Sequence, residues 1–233
     1  MLLELGGARL LTDPLLRSRV IHLRRHGAPP EPPERVDAVL LSHLHYDHAD
    51  LPSLRLLGRR TRLLVPRGAG AWLRRGGFRD VEELAAGDAV KVEGAEVSAV
   101  PARHDDRRRP GGGPRAEPVG FVLAGERRIY FAGDTDLFDE MAGLAPLDVA
   151  LLPVAGWGPS LGPGHLDPAR AARAAALMRP RLAVPIHWGT LSPWGVRLGA
   201  WFSDPPHLFA ARLAELAPEV HVRVIAPREA LDL

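Results

Sequence analysis

The sequence has no cysteine among its 233 residues. Disulfide bonds, thiolate nucleophiles, zinc fingers and iron–sulfur clusters are therefore excluded for this chain. Any metal site must be built from histidine, aspartate and glutamate side chains, and ten histidines are available for it.

Long hydrophobic runs are also missing. No apolar stretch approaches the roughly 20 residues that a transmembrane helix needs, so we expect no transmembrane segment. The first residues, 1–11, have no basic start, and Glu4 interrupts their apolar run, so they do not resemble a secretory signal. A cytoplasmic location is the expectation that follows.

Lysine is nearly absent, because Lys91 is the single lysine of the chain. The 30 basic residues are otherwise arginines and stand against 28 acidic residues, which leaves a formal net charge of only +2. Such a small excess gives little electrostatic attraction to a polyanion. A nucleic acid is therefore the less favoured partner, although the charge balance leaves it open.

Hydrophobic residues make up 46% of the chain and charged residues 25%, a composition typical of globular proteins. No low-complexity linker divides the sequence, and its length is that of one to two domains of about 150 residues. We therefore expect one domain over residues 1–233. The sequence leaves a homo-oligomer open.

Apolar runs of strand length alternate with shorter helical segments, which predicts an α/β fold. Leu2–Leu5 and Arg9–Thr12 flank Gly6-Gly7, a dipeptide typical of a tight β-hairpin. The clearest helix is Pro168–Met178, with Asp167 as its N-cap. The arginine- and glycine-rich segment 103–115 is predicted to be a mobile surface loop, and its contact with a substrate stays open.

Potential metal ligands are concentrated directly after one strand-like run, in the segment His43-Leu44-His45-Tyr46-Asp47-His48. In extended backbone, side chains two residues apart point to the same side. His43 and His45 can therefore bind one metal ion, while the following turn directs Asp47 and His48 to a second. A solvated loop rarely collects such residues, so we interpret the segment as a metal site.

Three further residues, His104, Asp134 and His187, each follow another strand-like run. Strand ends at one edge of a sheet converge, so these side chains are expected near the histidine segment. Taken singly, each has an ordinary explanation as a surface histidine or a turn aspartate. Together with the first cluster they total five histidines and two aspartates, which fits a dinuclear site with one bridging carboxylate.

These residues carry a resemblance to a known family. His-x-His-x-Asp-His, an isolated later histidine, Gly-Asp-Thr at 133–135 and Ile-His-Trp-Gly-Thr at 186–190 resemble the metallo-β-lactamase superfamily over nearly the whole chain. The resemblance implies an αββα sandwich of two mixed β-sheets flanked by helices. It also implies a first metal bound by His43, His45 and His104, a second bound by Asp47, His48 and His187, and Asp134 as the bridge.

Within the superfamily, four segments resemble the branch that contains N-acyl-phosphatidylethanolamine phospholipase D and ascorbate-6-phosphate lactonase. They are Leu11–Pro14, Pro101–His104, Gly164–Pro168 and Ile186–Thr190. The resemblance therefore implies a metal-dependent hydrolase that cleaves a phosphodiester, a lactone or a related ester of a small or lipid-like substrate.

The expected chemistry comes from two divalent ions, with Zn²⁺ favoured and Mn²⁺ or Fe²⁺ as alternatives. Such ions lower the pKa of a shared water from about 15.7 toward 7, so that a metal-bridged hydroxide attacks the ester. Asp47 is expected to orient this hydroxide as well as to bind metal. His165 is the candidate proton donor to the leaving group, with a solvent-facing helix-entry residue as the alternative interpretation.

Two other functions stay open on the sequence. A nuclease acting on RNA or DNA would share the metal ligands, but the chain lacks an inserted arm that could grip RNA. A non-hydrolytic metal protein for redox chemistry or sensing is less favoured, because flavodiiron relatives carry Glu in place of His45 and bring a flavin domain. Four tryptophans, Trp157, Trp188, Trp194 and Trp201, are expected to pack a loop region rather than to line a substrate pocket.

Overall fold

The computed structural model describes residues 1–109 and 111–233. The β-strands in this part of the chain are β1 (Leu2–Leu5), β2 (Ala8–Thr12), β3 (Arg19–Val20), β4 (Leu23–Arg25), β5 (Ala38–Leu40), β6 (Leu63–Pro66), β7 (Val81–Leu84), β8 (Ala89–Val92), β9 (Ala95–Pro101), β10 (Arg107–Arg109), β11 (Gly112–Arg115), β12 (Val119–Ala124), β13 (Arg128–Phe131), β14 (Val149–Pro153), β15 (Leu182–Ile186), β16 (Leu191–Pro193) and β17 (His221–Val222). The helices described are α1 (Leu51–Leu57), α2 (Gly70–Arg75), α3 (Pro168–Met178), α4 (Ala200–Ser203), α5 (Pro205–Leu216) and a 3₁₀ helix over Asp139–Leu144.

The first sheet has the strand order β1-β2-β5-β6-β7. β1 and β2 are antiparallel and are joined by Gly6 and Gly7, whose φ angles of 56° and 75° suit residues without a Cβ. From β2 onward, each strand is parallel to its neighbour in this sheet. The hairpin predicted around the two glycines is therefore confirmed.

The second sheet has the strand order β17-β15-β14-β13-β12-β9-β8. β12 is antiparallel to both β9 and β13, so these two strands run in the same direction. β13, β14, β15 and β17 are mutually parallel. The ends of β9, β13 and β15 therefore lie at the same edge of this sheet.

The two sheets pack face to face. Side chains alternate between the two sides of each strand, so each sheet has an inner apolar side that is buried against the other sheet. Leu10 and Leu40 of the first sheet and Phe121 and Val149 of the second fill the core between them. The outer face of the first sheet packs against α1 and α2, and that of the second packs against α3 and α5. This order of helix, sheet, sheet and helix confirms the predicted αββα sandwich.

Helix α3 has the boundaries that the sequence predicts. The side chain of Asp167 accepts a hydrogen bond from the Arg170 amide at 2.8 Å, and a cap of this kind stabilises a helix by about 1 kcal/mol. The helix ends at Arg179, whose φ of 46° is left-handed. Among the described helices, none combines the length and the apolar character needed to cross a membrane.

A small third sheet has the strand order β16-β4-β3 and is antiparallel throughout. It brings the hairpin of residues 19–25 beside residues 191–193. The sequence did not predict it, because strands of two or three residues give no periodic pattern.

The segment 103–115 differs from the surface loop that its composition predicts. β10 and β11 within it form an antiparallel hairpin, and Pro110 lies outside the described residues. Arg108 gives the physical reason, because its guanidinium lies over the rings of Tyr46 and Trp72 at 4.1 and 4.3 Å. The prediction took the arginine run as a solvated surface, whereas Arg108 is turned onto the protein.

Arg108 also holds the histidine segment in place. Its Nη1 donates hydrogen bonds to the carbonyl oxygens of Leu44 and Ala49 at 2.6 and 3.0 Å. These two carbonyls flank the turn that carries Asp47 and His48. A planar guanidinium can stack on rings and donate to both carbonyls at once, which a lysine ammonium cannot do.

Replacing Arg108 should therefore destabilise the protein. We expect Arg108→Ala to lower the free energy of unfolding by about 2 kcal/mol, since it leaves two carbonyls without a donor and removes two cation–π contacts. Arg108→Lys should recover less than half of this loss. Urea denaturation measures the change, with the exposed Arg107→Ala and Arg109→Ala on the same strand as controls. Equal losses in all three alanine variants would contradict this role.

Candidate metal centre

The predicted ligands lie together at the strand ends of both sheets. His43 to His48 follow β5 of the first sheet. His104, Asp134 and His187 follow β9, β13 and β15, whose ends share one edge of the second sheet. The structure thus brings all seven side chains into one cluster, as the sequence led us to expect.

The first part of the cluster contains His43, His45 and His104. One ring nitrogen from each lies within 4.8 Å of those of the other two. The His104 Nε2 and His45 Nδ1 atoms are 2.9 Å apart. Among the described residues, the buried Nε2 of His43 has no hydrogen-bond partner. A buried ring nitrogen that faces two other ring nitrogens and has no hydrogen-bond partner is typical of a metal ligand.

The opposite ring nitrogens of His43 and His104 are hydrogen-bonded away from the cluster. His104 Nδ1 donates to the Gly164 carbonyl at 2.7 Å, and His43 Nδ1 lies 2.9 Å from the Ser42 hydroxyl. A carbonyl can only accept, so the proton of His104 resides on Nδ1 and the Nε2 lone pair is left for a cation. Partners of this kind fix the orientation of metal-binding rings.

The second part of the cluster contains Asp47, His48 and His187, again with ligand atoms within 4.8 Å. His48 Nε2 is 3.1 Å from His187 Nε2 and 3.4 Å from an Asp47 carboxylate oxygen. His187 has a φ of 61°, which is rare outside glycine. Strain of this kind is tolerated where it serves a site, and here it places the ring beside Asp47.

Asp134 lies between the two parts. Its Oδ2 is 3.3 Å from His48 Nε2 and its Oδ1 is 3.4 Å from His187 Nε2. It also lies within 4.8 Å of a ring nitrogen of His104. The preceding Gly133 has a φ of 61°, and a Cβ at this position would meet the Ser42 Cβ at 2.5 Å. Only glycine allows Asp134 to approach so closely.

Asp13 belongs to the site, although the ligand spacing in the sequence does not indicate it. Its carboxylate accepts hydrogen bonds from the Ser42 amide and from His48 Nδ1, both at 2.8 Å. It follows β2, which is parallel to β5, so its position beside the histidine segment comes from strand pairing. In the sequence, the Leu11–Pro14 motif is the one signal that points to Asp13, and it does so as a family feature without indicating a contact with His48.

The pKa values of the histidines in the cluster are shifted in opposite directions. Burial, together with neighbouring histidines, holds the pKa of His43 well below its usual range, and burial lowers the pKa of His104 to about 4. Burial also disfavours the charged form of His48, but the carboxylates of Asp134 and Asp47 outweigh it and raise the pKa of His48 well above its usual range.

The two carboxylates respond in the opposite sense. Burial would raise the pKa of Asp47 and of Asp134, yet the surrounding histidines outweigh it and hold both values well below the usual range. The ionised carboxylates and the neutral rings of His43 and His104 are the forms that divalent cations bind, whereas His48 would release a proton on binding one.

His165 lies at the rim of the cluster. Its Nε2 is 3.7 Å from the Asp134 Oδ2, and its ring centroid is 4.6 Å from that of His104. Its Nδ1 donates to the carbonyl groups of Gly162 and Pro163 at 3.1 and 3.2 Å. The sequence alone did not decide whether His165 lies near the candidate metal ligands, and the structure places it at the edge of their cluster.

A family model described as the β-lactamase superfamily domain matches residues 8–188, a range that contains all seven clustered side chains. The chain belongs to the metallo-β-lactamase superfamily. The arrangement of ligands at the strand ends of an αββα sandwich agrees with this assignment.

Several members of the superfamily are similar to this chain over most of its length. It is 32% identical to a UPF0173 metal-dependent hydrolase of Methanopyrus kandleri, covering 98% of this chain and 94% of that protein. It is 29% identical to N-acyl-phosphatidylethanolamine-hydrolyzing phospholipase D 1 of Caenorhabditis elegans, covering 82% of this chain and 61% of that one.

Other relatives are longer or more distant. The chain spans only 64% of the length of an uncharacterised Mycobacterium tuberculosis protein, to which it is 32% identical over 97% of its own residues. Among solved structures, the metallo hydrolase Igni18 of Ignicoccus hospitalis has a TM-score of 0.71 at 24% identity, covering 98% of this chain and 91% of that chain. This likeness confirms the superfamily fold.

A cavity of about 1140 Å³ adjoins the clustered side chains of this superfamily member. Asp47, His48, Asp134 and His187 line one part of it. Apolar side chains from both sheets line the rest, together with residues 225–233; they include Leu11, Ile129, Phe131, Val149, Leu151, Val184 and Leu231. Trp157 and Trp188 also line this cavity, and Trp188 packs against the core under α3 and α5 as well, in agreement with the packing role expected for it.

Removing the carboxylate charge of Asp13 should weaken metal binding without removing a ligand. We expect Asp13→Asn to reduce metal affinity 10- to 100-fold, roughly the effect of losing a partner that orients a ligating histidine. Competition with a chromophoric chelator measures the affinity. Asp88→Asn, at an exposed turn before β8, is the control. An affinity unchanged by Asp13→Asn, or lowered equally by Asp88→Asn, would refute the orienting role.

Proposed function

We propose that residues 1–233 act as one metal-dependent hydrolase domain with a dinuclear centre. His43, His45 and His104 would hold one cation, Asp47, His48 and His187 the other, and Asp134 would bridge them. The observation that carries the proposal is the convergence of seven candidate ligand side chains, together with the inward nitrogen of His43, which has no partner in the described residues. The outward nitrogens of His43, His48 and His104 are hydrogen-bonded away from the cluster.

When bound, the cations activate a water and offset the negative charge that develops on the ester oxygen. We propose Zn²⁺ as the native metal, because five imidazoles and two carboxylates form a donor set that suits it, with Mn²⁺ and Fe²⁺ as alternatives. The side chain of Asp47 would accept a hydrogen bond from the attacking water and so orient it.

His165 would protonate the leaving oxygen of the substrate. Its Nδ1 is engaged by two backbone carbonyls, so the ring presents Nε2 toward Asp134 and the cluster. From this position the doubly protonated ring can transfer its Nε2 proton to the leaving oxygen without displacing a metal ligand, and the ring is left neutral with its remaining proton on Nδ1. Its role differs from that of His104, whose Nε2 faces the other ring nitrogens.

The adjoining cavity favours a substrate with an apolar portion. Apolar side chains line much of it and the clustered aspartates and histidines line one part, while further charged residues, among them Glu126, Arg127 and Arg228, also border it. An ester whose cleaved end lies at the cluster and whose lipid-like remainder contacts the apolar walls would fit this lining. The similarity to the phospholipase D of Caenorhabditis elegans supports a phosphodiester, with a lactone or a related carboxylic ester as the alternative.

Metal removal tests the proposed activity directly. We expect the purified protein to hydrolyse bis-p-nitrophenyl phosphate or a lactone, to lose this activity after chelation, and to recover it with Zn²⁺. His43→Ala should abolish activity and lower metal content, while the exposed His207→Ala should change neither. Elemental analysis and a chromogenic assay provide both readouts. Full activity in protein shown to be metal-free would disprove the proposal.

The role of His165 has a separate test. His165→Ala should retain both metals and the fold but lose about a hundredfold or more in rate, the usual scale of general acid catalysis. The loss should shrink for p-nitrophenolate leaving groups, which need little protonation, and persist for alkoxide leaving groups. Equal losses for both kinds would instead indicate substrate positioning, and an unchanged rate with alkoxides would assign His165 to helix entry alone.

A further inference from the structure

One face of the small third sheet combines exposed apolar groups with arginines. We define this face by Arg19, Ile21, Arg24 and Trp194, with the exposed Arg197 three residues after Trp194 in the chain, and call it the arginine–tryptophan face. The side chains of Ile21 and Trp194 are 64% and 63% exposed, which is high for residues of this size. The expectation that the tryptophans pack a loop region is therefore wrong for Trp194.

Local folding does not account for Ile21. It occupies the first position of the two-residue turn between β3 and β4, with a φ of 50°. This conformation favours glycine and is unfavourable for a β-branched residue. Neither turn geometry nor core packing thus explains an isoleucine at the exposed tip of this hairpin.

The charged residues of this face are all positive, although the positive and negative charges of the whole chain nearly balance. Neither residues 14–30 nor residues 168–203 contain an aspartate or a glutamate. Within the described part of the chain, Arg19, Arg24 and Arg197 take part in no ion pair with a carboxylate. The Arg19 and Arg24 guanidiniums instead lie 4.8 and 5.6 Å from the centre of the Trp194 ring.

The arginine–tryptophan face adjoins the cavity beside the metal ligands. The Trp194 amide donates to the His22 carbonyl at 2.9 Å, next to Ile21 at the hairpin tip. The His22 ring meets Trp157 edge-on, with centroids 5.3 Å apart, and Trp157 lines the cavity. Whatever binds to this face lies close to the cavity.

We infer that the arginine–tryptophan face docks on the surface of a membrane that contains anionic lipids. Tryptophan and a branched aliphatic side chain partition into the interfacial region, and arginines bind lipid phosphates. A nucleic acid would explain the arginines but not Ile21, and two guanidiniums already lie against the Trp194 ring that bases would have to stack on. The inference concerns binding and holds independently of the proposed hydrolysis.

Co-sedimentation of the full chain with vesicles tests this docking. The protein should bind vesicles of phosphatidylcholine mixed with phosphatidylglycerol, bind phosphatidylcholine vesicles more weakly, and dissociate as salt is raised. Arg19→Gln and Arg24→Gln should each weaken binding about fivefold. The pair Ile21→Gly and Trp194→Ser should weaken it about tenfold or more, since it removes the inserted apolar groups.

The variants include matched controls for folding and for general hydrophobicity. Ile21→Gly places glycine where φ is positive, so this variant should fold at least as well as the wild type. Leu56→Ser removes a side chain that is 57% exposed on α1 and should leave vesicle binding unchanged. Quenching of Trp194 fluorescence by brominated lipids, absent in Trp194→Phe, would show insertion in the wild-type protein.

Four outcomes would overturn the inference. They are absence of binding to the anionic vesicles, an equal loss of binding in Leu56→Ser, binding of single-stranded RNA in place of vesicles with the same dependence on Arg19 and Arg24, and a dimer in sedimentation equilibrium that Ile21→Gly dissociates. The last two would assign this face to a nucleic acid or to a second copy of the chain.

Discussion

The candidate metal centre depends on keeping seven ionisable side chains close together in a buried or half-buried place. Ring nitrogens of neighbouring histidines lie 2.9 to 3.1 Å apart, a separation at which protonated imidazoles would repel one another strongly. Two conditions make the cluster stable: low pKa values keep some rings neutral, and the ionised carboxylates of Asp47 and Asp134 balance the others. The same balance of neutral and anionic ligands prepares the site for divalent cations.

The surrounding structure fixes this cluster from outside. Asp13 orients the ring of His48, and the carbonyl of Gly164 orients the ring of His104. Arg108 holds the turn that carries Asp47 and His48 by donating to a backbone carbonyl beside it. Gly133 lets Asp134 approach the first sheet, because any side chain there would collide with Ser42. The distance between ligands from the two sheets is therefore set by atoms that do not face a metal.

Much of the site could be predicted because strand ends and ligand spacing are visible in the sequence. The His43–His48 segment is contiguous, and His104, Asp134 and His187 each follow an apolar run. Residues that act through tertiary contacts gave no such pattern: Asp13 joins the site by strand pairing, and Arg108 looks like part of a solvated arginine run. The small sheet of β3, β4 and β16 escaped prediction for the same reason, since its strands are too short to show a period.

The cavity beside the candidate ligands is lined partly by residues outside the range that the family model matches. All seven candidate ligands lie within residues 8–188, whereas residues 225–233, which line part of the cavity, lie beyond that range. A substitution in this last segment can therefore change the shape of the cavity without touching any of the seven clustered side chains.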